Sequence, residues 1–310
     1  MSEAVSIVGA GAWGTALAVH LARAGRSVRL WARNPAPLRG TLPGLVEIVD
    51  VLPGGEAVLL AVPTQHLRAV AARLPPGGPL VACCKGVELG TGRLPLEVLA
   101  QVQPGRPAAV LTGPNFAGEI AAGLPAAAVV AAEDVALRER VAELLSGPAL
   151  RLYGNADPLG AQLGGAAKNV IAIAAGCVSG AGLGENARAA LVTRGVAELS
   201  RLVAALGGRA ETAAGLSGLG DLVLTCTGRA SRNLRLGEAL GRGLPLAEAI
   251  ATLGGVAEGV PTAPALITRA VKGESLVDLP ICTAVAALLD GSLGLHEAVA
   301  ALLARPRRDE

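Results

Sequence analysis

The N-terminal segment has the arrangement that most constrains the fold of this chain. An apolar run, Val5–Val8, is followed at once by Gly9–Gly14, which matches the pattern GxGxxG. An alanine- and leucine-rich stretch with helical spacing then covers 15–24, and a second apolar run covers Ser27–Trp31. Strand, glycine-rich turn, helix and strand in this order form the context that a dinucleotide fingerprint requires. The sequence therefore predicts a Rossmann unit that binds a dinucleotide at this turn.

Each glycine of the turn has its own predicted role. Gly9 permits a tight turn, Gly11 lets the backbone approach a pyrophosphate, and Gly14 lets the helix pack closely on the strand. The helix N-terminus also offers free N–H groups and a partial positive charge to phosphates. We therefore expect the turn to contact the cofactor through Gly9, Gly11, Ala12, Trp13 and Gly14.

The residues after the second predicted strand bear on the choice of cofactor. NAD-preferring sites usually place Asp or Glu there to hold the ribose 2′-hydroxyl. This chain has Ala32-Arg33-Asn34 instead. Arg33 either faces a 2′-phosphate or is an exposed loop arginine. On the first interpretation NADP is at least accepted, beside NAD.

Further apolar runs alternate with helix-compatible stretches through the first half of the chain, which is typical of a doubly wound sheet. Strand signals fade from Pro158 onward, where helix-compatible runs are separated by glycine or proline. We predict an α/β protein with an N-terminal Rossmann-type doubly wound sheet, residues 1–155, followed by an all-helical C-terminal domain, residues 156–310. The ligand crevice at the carboxyl edge of the sheet should be faced by the residues that follow two predicted strands: Lys85, Gly113 and Asn115.

Composition and charge exclude several classes of function. The net charge is +2, no dense basic stripe occurs, and the aromatic residues are two Trp, one Tyr and one Phe, so nothing favours nucleic-acid binding. No stretch reaches the ~20 apolar residues of a membrane span, and no signal peptide is visible. The five cysteines have no CxxC spacing, and no cluster has metal-ligand spacing. We therefore expect a reduced, cytoplasmic protein without a metal and without a membrane or nucleic-acid partner.

Lysine is rare in this chain, and two of its positions are informative. Lysines and arginines total 27, of which only Lys85, Lys168 and Lys272 are lysine. The first two lie in glycine-rich, otherwise uncharged surroundings. Arginine stays protonated in proteins, whereas a partly buried lysine can release its proton. Lys85 and Lys168 are therefore candidates for a site that exchanges a proton, although long side chains of this kind also snorkel.

Several long motifs occur in a fixed order along nearly the whole chain. They cover 9–18, 85–86, 113–117, 164–172, 186–191, 218–227, 231–233 and 258–259. Together they resemble the bacterial type of NAD(P)-dependent glycerol-3-phosphate dehydrogenase. The resemblance implies reversible hydride transfer between NAD(P)H and dihydroxyacetone phosphate, which yields sn-glycerol 3-phosphate for phospholipid synthesis. It also implies a homodimer.

The resemblance assigns roles to residues of both halves. The lysine matching Lys168 is the proton donor and acceptor at the substrate oxygen, and the lysine matching Lys85 helps to hold substrate. Asp221, if it is paired with Lys168, would orient the ammonium. Arg232 suits a phosphate dianion, because a planar guanidinium can bind two oxygens at once. The implied substrate site comprises Lys85, Gly113, Asn115, Asn169, Asp221, Thr225, Ser231, Arg232 and Asn233. Implied cofactor contacts beyond the glycine turn are Arg33, Lys85, Ala117, Arg232, Val256 and Glu258.

Other interpretations stay open at the level of sequence. Asp221 could cap a helix, Arg232 could lie on the surface, and Thr225 and Asn169 could serve as local backbone caps. The chain could also be a β-hydroxyacid dehydrogenase of the same architecture or a cofactor-binding sensor without catalysis. It departs from the family in a shorter 34–50 segment, in Gly118 where a basic residue is common, and in Asn115 where a hydroxyl residue is usual.

Overall fold

The computed structural model describes residues 4–36, 40–271 and 277–304, so Lys272 lies outside the described residues. The chain forms two compact units. The first comprises Met1–Lys85 and Arg93–Gln162, and the second comprises Gly86–Gly92 and Leu163–Glu310. This division differs from the predicted domains 1–155 and 156–310 in two ways. The boundary falls inside a helix that begins at Pro158, and the short segment Gly86–Gly92 belongs to the second unit.

The first unit is built on one sheet of eight strands. They are β1 Val5–Val8, β2 Val28–Trp31, β3 Val46–Val49, β4 Val58–Leu60, β5 Leu80–Ala82, β6 Ala108–Thr112, β7 Ala126–Ala131 and β8 Leu150–Asn155. Their spatial order is β3-β2-β1-β4-β5-β6-β7-β8. All neighbouring pairs run parallel except β6 and β7, which are antiparallel. Strands β2 and β3 thus lie on one side of β1 and strands β4 to β8 on the other, so the strand order reverses between β1 and β4. This topological switch is where such sheets bind ligands.

Helices cover both faces of this sheet. They are α1 Ala12–Arg23, α2 Thr64–Ala71, α3 Pro95–Val102, α4 Ala117–Ala122 and α5 Val135–Leu145. On one face Ile7 and Leu59 pack with Leu17 of α1, and on the other Leu60 packs with Leu67 of α2. The strands are apolar on both faces because both faces are covered. The predicted doubly wound sheet is confirmed.

The elements of the first unit that were not predicted are short or half-exposed. Strand β3 pairs with β2 at the sheet edge, with Val46 opposite Val28, and its Glu47 is exposed. Helices α3 and α4 have eight and six residues. Segments of this length carry too few periodic positions for a pattern to separate them from loops.

The second unit is helical throughout its described residues, which confirms the predicted class. Its helices are α6 Pro158–Gly180, α7 Glu185–Ala205, α8 Asp221–Thr227, α9 Arg232–Gly241, α10 Leu246–Ala251, α11 Gly259–Val271, α12 Pro280–Asp290 and α13 Leu295–Leu303. A 3₁₀ turn, Ala210–Ala214, and a π turn, Leu216–Gly220, precede α8. Helices α8 and α13 were not predicted.

Helix α6 is the buried centre of the second unit. Among the described residues it is the one helix long and apolar enough to cross a membrane, yet 89% of its most apolar window is buried inside the protein. A core helix meets the same test of length and composition. Because α6 carries Lys168 and Asn169, its packing fixes two of the predicted site residues.

Glycines let α6 and α9 pack with their backbones in contact. A Cβ on Gly237 of α9 would lie 2.0 Å from the carbonyl oxygen of Ile173, and one on Gly176 of α6 would lie 2.1 Å from that of Leu234. The next turn repeats the arrangement with Gly180 and Gly241. Any side chain at these four glycines, here called the glycine seam, would push the two helices apart.

Candidate active site

The turn after β1 has the geometry that a pyrophosphate requires. Gly9 has a φ of +110°, a value that L side chains rarely adopt, and a Cβ there would lie 2.7 Å from the carbonyl oxygen of Ala61 at the end of β4. A Cβ on Gly14 would lie 1.8 Å from the carbonyl oxygen of Gly9. These contacts hold α1 against the turn. Gly11 precedes α1 and has no side-chain cap, so the first N–H groups, which include those of Ala12 and Trp13, point out of the helix end.

Gly11 differs from its neighbours because it faces open space. A Cβ there would have no heavy atom of the described chain within 4 Å. Its backbone is extended, with φ −70° and ψ 179°, which alanine adopts without strain. The turn therefore fits a dinucleotide, since the backbone at Gly11 is open on the side where a phosphate would approach.

Gly11→Ala is expected to weaken NADPH binding by about tenfold or more while leaving the thermal unfolding midpoint unchanged. The added methyl meets no protein atom but enters the phosphate position, and overpacking of this kind costs roughly 1–3 kcal/mol. Fluorescence titration with NADPH measures the effect. Gly14→Ala is the contrasting variant, because its Cβ would clash with Gly9 and should destabilise the fold. Unchanged NADPH affinity in Gly11→Ala would contradict this placement of the cofactor.

Polar groups collect at the carboxyl ends of β5 and β6. Lys85 follows β5, and its Nζ donates a hydrogen bond of 2.9 Å to the carbonyl oxygen of Gly113, which follows β6. Asn115 donates through Nδ2 to the carbonyl oxygen of Ala127 at 3.1 Å. The buried polar atoms of the described residues that have no hydrogen-bond partner include Trp13 Nε1 in α1 and, after or at the end of β6, Thr112 Oγ1 and Asn115 Oδ1. Buried polar atoms are nearly always paired, so their presence here suits a ligand site.

Two predicted cofactor residues lie at other points of the first unit. Arg33 follows β2 and is exposed. Ala117 is the first residue of α4 and packs against the core on the α1 face of the sheet.

The second unit places Lys168 in a buried cluster with two residues of α8. Its Nζ donates to Asp221 Oδ1 at 2.9 Å and to Thr225 Oγ1 at 2.8 Å. The three residues are 8%, 1% and 3% exposed. The Thr225 hydroxyl donates its proton to the backbone carbonyl of Asp221 at 2.6 Å, so its oxygen is free to accept from the ammonium. Two acceptors thus fix the direction of the Lys168 side chain.

The alternative role of Asp221 as a helix cap is not what the structure shows. Asp221 is the first residue of α8, but Gly220 precedes it as the N-cap residue and no side chain caps this helix. The Asp221 carboxylate faces Lys168 instead. A buried ion pair of this kind is costly to break, because removing one partner leaves the other charge buried and unpaired.

Two asparagines form a second hydrogen-bonded pair beside this cluster. Asn233 Nδ2 donates to Asn169 Oδ1 at 2.9 Å, and Asn233 Oδ1 accepts from the backbone N–H of Gly259 at 3.1 Å. Both asparagines are nearly buried. A Cβ on Gly259 would lie 2.9 Å from Asn233 Oδ1, so only glycine lets this backbone N–H come so close. Sequence reasoning did not single out Gly259 for this role.

The remaining predicted residues lie at the start of α9 and in the segment before α11. Ser231 caps α9, and its Oγ accepts from the N–H of Leu234 at 3.1 Å. Arg232 is exposed and lies against Gly255, where a Cβ would be 2.6 Å from its Nη1. Val256 is 49% exposed, and Glu258 is half-buried one residue before Gly259.

The cysteine beside this cluster is not a nucleophile. Burial raises the pKa of Cys226 to about 12, against the opposing effect of the Lys168 ammonium. A thiol with so high a pKa stays protonated near neutral pH. Among the described residues, no group of three or more His, Cys, Asp or Glu side chains is placed to hold a metal ion. The chemistry of the cluster therefore rests on its lysine.

A glycine turn at the switch point of a parallel sheet and a buried lysine held by a carboxylate are features of NAD(P)-dependent oxidoreductases. Family models support this class directly. The model for the NAD-dependent glycerol-3-phosphate dehydrogenase C-terminus matches residues 157–300, and the model for the N-terminus matches 4–42 and 38–138. The chain belongs to the NAD-dependent glycerol-3-phosphate dehydrogenase family.

Similar proteins agree over the full length of the chain. It is 52% identical to a glycerol-3-phosphate dehydrogenase [NAD(P)+] of Gluconobacter oxydans, over 97% of both chains. It is 55% identical to one of Acidiphilium cryptum, over 98% of both. A crystal structure of glycerol-3-phosphate dehydrogenase from Coxiella burnetii superposes with a TM-score of 0.92 at 36% identity, covering 98% of this chain and 99% of that one. These similarities favour an NAD(P)-dependent glycerol-3-phosphate dehydrogenase over the sensor and the β-hydroxyacid dehydrogenase alternatives.

Proposed function

We propose that this protein catalyses the reversible NAD(P)H-dependent reduction of dihydroxyacetone phosphate to sn-glycerol 3-phosphate, which supplies the backbone for phospholipid synthesis. The observation that carries the proposal is the buried Lys168 between Asp221 and Thr225. The relatives bear the name of this activity. Bound NAD(P)H would supply the hydride, and the residues of this chain supply the remaining steps.

Lys168 is the proton donor in this proposal. Negative charge builds on the ketone oxygen as hydride reaches its carbon, and a cation beside that oxygen stabilises the transition state. The Lys168 ammonium provides this charge and then transfers a proton to the oxygen. Asp221 and Thr225 accept hydrogen bonds from the ammonium and so orient it. In the reverse direction neutral Lys168 takes the proton from the alcohol.

Substrate binding is assigned to the predicted lysine, asparagine, serine and arginine residues. Lys85 and the Gly113–Asn115 turn hold substrate at the carboxyl edge of the sheet. The amides of Asn169 and Asn233 bind its hydroxyl or phosphate oxygens. Ser231 uses its oxygen to cap α9, so its hydroxyl proton is free for a phosphate oxygen. The exposed guanidinium of Arg232 is the principal phosphate ligand.

Arg232→Met is expected to raise KM for dihydroxyacetone phosphate by about tenfold or more, because a charge-assisted hydrogen bond contributes roughly 1.5–3 kcal/mol. The slow reduction of unphosphorylated dihydroxyacetone should not change. Steady-state NADPH oxidation with both ketones measures this difference. Arg242→Met is the matched control, since Arg242 is exposed at the other end of α9 and should leave both reactions unaffected. Equal effects of Arg232→Met on the two ketones would refute its assignment to the phosphate.

The choice between NAD and NADP is assigned to Arg33. Its exposed guanidinium follows β2, where NAD-preferring sites place a carboxylate. Arg33→Gln is expected to raise KM for NADPH by about tenfold while leaving KM for NADH unchanged, since only NADPH carries the 2′-phosphate. Initial rates with both cofactors test this. A wild-type protein that strongly prefers NADH would rule the assignment out.

Other cofactor contacts, the assembly and the cellular location complete the proposal. We assign Ala117, Val256 and Glu258 to the cofactor, together with Lys85 and Arg232. The protein acts on a small molecule as a cytoplasmic homodimer without nucleic-acid or membrane partners. Two-fold dimers are the commonest symmetric assemblies of soluble oligomers, and the five cysteines are buried thiols, as in reduced proteins.

A further inference from the structure

The second unit contains a groove that includes none of the proposed catalytic or binding residues. Its cavity volume is about 550 Å³, within the usual range for small-molecule sites. Its walls come from the end of α6, one face of α7, the start of α12 and α13. Four apolar side chains on different elements converge on it: Leu183, Leu191, Ile281 and Val299. We call this cavity the α7 groove.

One face of α7 runs the length of the groove, and its side chains change from apolar to charged along the helix. Ala187 and Leu191 line one end, and Arg194, Glu198 and Arg201 line the other. These positions recur at helical spacing and therefore share one side of the helix. From 187 to 201 this face spans roughly 21 Å at the helical rise per residue. The groove is thus long, apolar at one end and charged at the other.

The two acidic side chains in the groove already have partners. Glu198 is 1% exposed, and its two carboxylate oxygens accept from the backbone N–H groups of Ile281 and Cys282 at 2.9 Å each. The carboxylate therefore serves the N-terminus of α12. Asp278 also takes part in interactions of its own. Both acids thus have contacts of their own, although the Arg201 guanidinium still acts electrostatically on the Glu198 carboxylate.

The two arginines, by contrast, make no direct ion pair with a carboxylate among the described residues. Arg194 is exposed and makes no ion pair there. Arg201 is half-buried, donates a long bond of 3.4 Å from Nη2 to the backbone oxygen of Asp278, and leaves its Nε unpaired. A guanidinium in such a place gains most from an anionic oxygen, since charge-assisted hydrogen bonds are the strong ones. The guanidinium donors of Arg194 and Arg201 therefore favour an anionic oxygen at this end of the groove.

We propose that the α7 groove binds a single-chain amphiphile, an unbranched aliphatic chain with a terminal carboxylate. The chain would lie along Leu183, Leu191 and Val299, and the carboxylate would pair with Arg194 and Arg201. Each further methylene that is buried adds apolar contact, so a longer chain should bind more tightly than a shorter one. The proposal does not depend on the proposed catalytic function, because it uses none of the same residues.

Isothermal titration calorimetry with sodium laurate below its micelle concentration tests the proposal. We expect one saturable site per chain, and no binding of dodecyltrimethylammonium, which has the same chain and the opposite charge. Arg201→Met should weaken laurate binding by about tenfold or more. Leu191→Glu should weaken it as well, through the apolar end. Arg242→Met, which removes an exposed arginine elsewhere in the unit, should leave it unchanged.

Three results would overturn the proposal. One is the absence of saturable laurate binding, and another is equal binding of the cationic amphiphile, which would indicate non-specific adsorption. The third is laurate binding that is accompanied by dissociation of the oligomer, measured as a fall in molar mass by light scattering. That result would mean that a second copy of the chain normally covers the groove. Thermal unfolding of each variant checks that it is folded. If Arg201→Met does not fold, Leu191→Glu still tests the proposal.

Discussion

Replacing Lys168 by arginine is expected to lower kcat for dihydroxyacetone phosphate by roughly 10²-fold or more, the usual contribution of a positioned acid or base. Arginine keeps the positive charge beside Asp221, which is 2.9 Å from the lysine Nζ, but it stays protonated and cannot donate its proton. The variant keeps a positive charge opposite the buried Asp221 carboxylate, so it should fold. Steady-state NADPH oxidation measures kcat, and NADPH titration checks that the cofactor site is intact.

Two companion variants separate catalysis from stability. Lys168→Ala should lose the same activity and also about 3–5 kcal/mol of unfolding free energy, because it leaves the Asp221 carboxylate buried and unpaired. Adding Asp221→Asn removes that charge and should restore much of the stability without restoring activity. A Lys168→Arg enzyme with kcat within a few-fold of wild type would show that Lys168 is not the proton donor.

Gly237→Ala is expected to lower the unfolding free energy by about 3 kcal/mol, at the upper end of the cost of overpacking. A Cβ there would lie 2.0 Å from the carbonyl oxygen of Ile173. Both atoms are attached directly to a helix backbone, so neither can move away without moving its helix. The glycine seam therefore has to open, which shifts α9 relative to α6. Because α9 carries Asn233, which bonds to Asn169 of α6, KM for dihydroxyacetone phosphate should rise as well. Chemical denaturation followed by circular dichroism measures the loss.

Gly118→Ala is the matched control for this substitution. Gly118 lies within helix α4, and a Cβ there would meet no heavy atom of the described chain within 4 Å. Alanine is favoured over glycine in a helix by roughly 0.5–1 kcal/mol, so this change should be neutral or slightly stabilising. If Gly237→Ala proves as stable as Gly118→Ala, the seam does not depend on glycine.

The parts of the fold that sequence predicted are those whose pattern is local and repeated. The run Val5–Val8, the glycine turn and α1 follow each other directly, and each fits the same Rossmann interpretation. Long helices such as α6 and α7 carry many periodic positions. The edge strand β3 has only four residues and is half-exposed, and α8 contains Val223, Thr225 and Thr227, whose branched side chains weaken a helical signal.

The candidate site could be predicted only in part from the sequence, because its contacts join residues that are far apart in the chain. Sequence identified Lys168, Asp221 and Thr225 separately, but the pair Lys168–Asp221 is 53 residues apart and depends on how α8 packs against α6. The N–H of Gly259 that fixes Asn233 lies in another helix again. The four-residue spacing of Gly176 and Gly180 was a visible signal for close helix packing, but its partner helix became clear only in the structure.

The initial rate of NADPH oxidation by the wild-type protein tests the central claim most directly, with dihydroxyacetone phosphate in one assay and a short 3-oxo acid in the other. Rapid oxidation with dihydroxyacetone phosphate, and little with the acid, is the result that the buried lysine cluster and the exposed Arg232 predict. A folded protein that binds NADPH but reduces only the acid would contradict the glycerol-3-phosphate dehydrogenase assignment and would favour the hydroxyacid alternative.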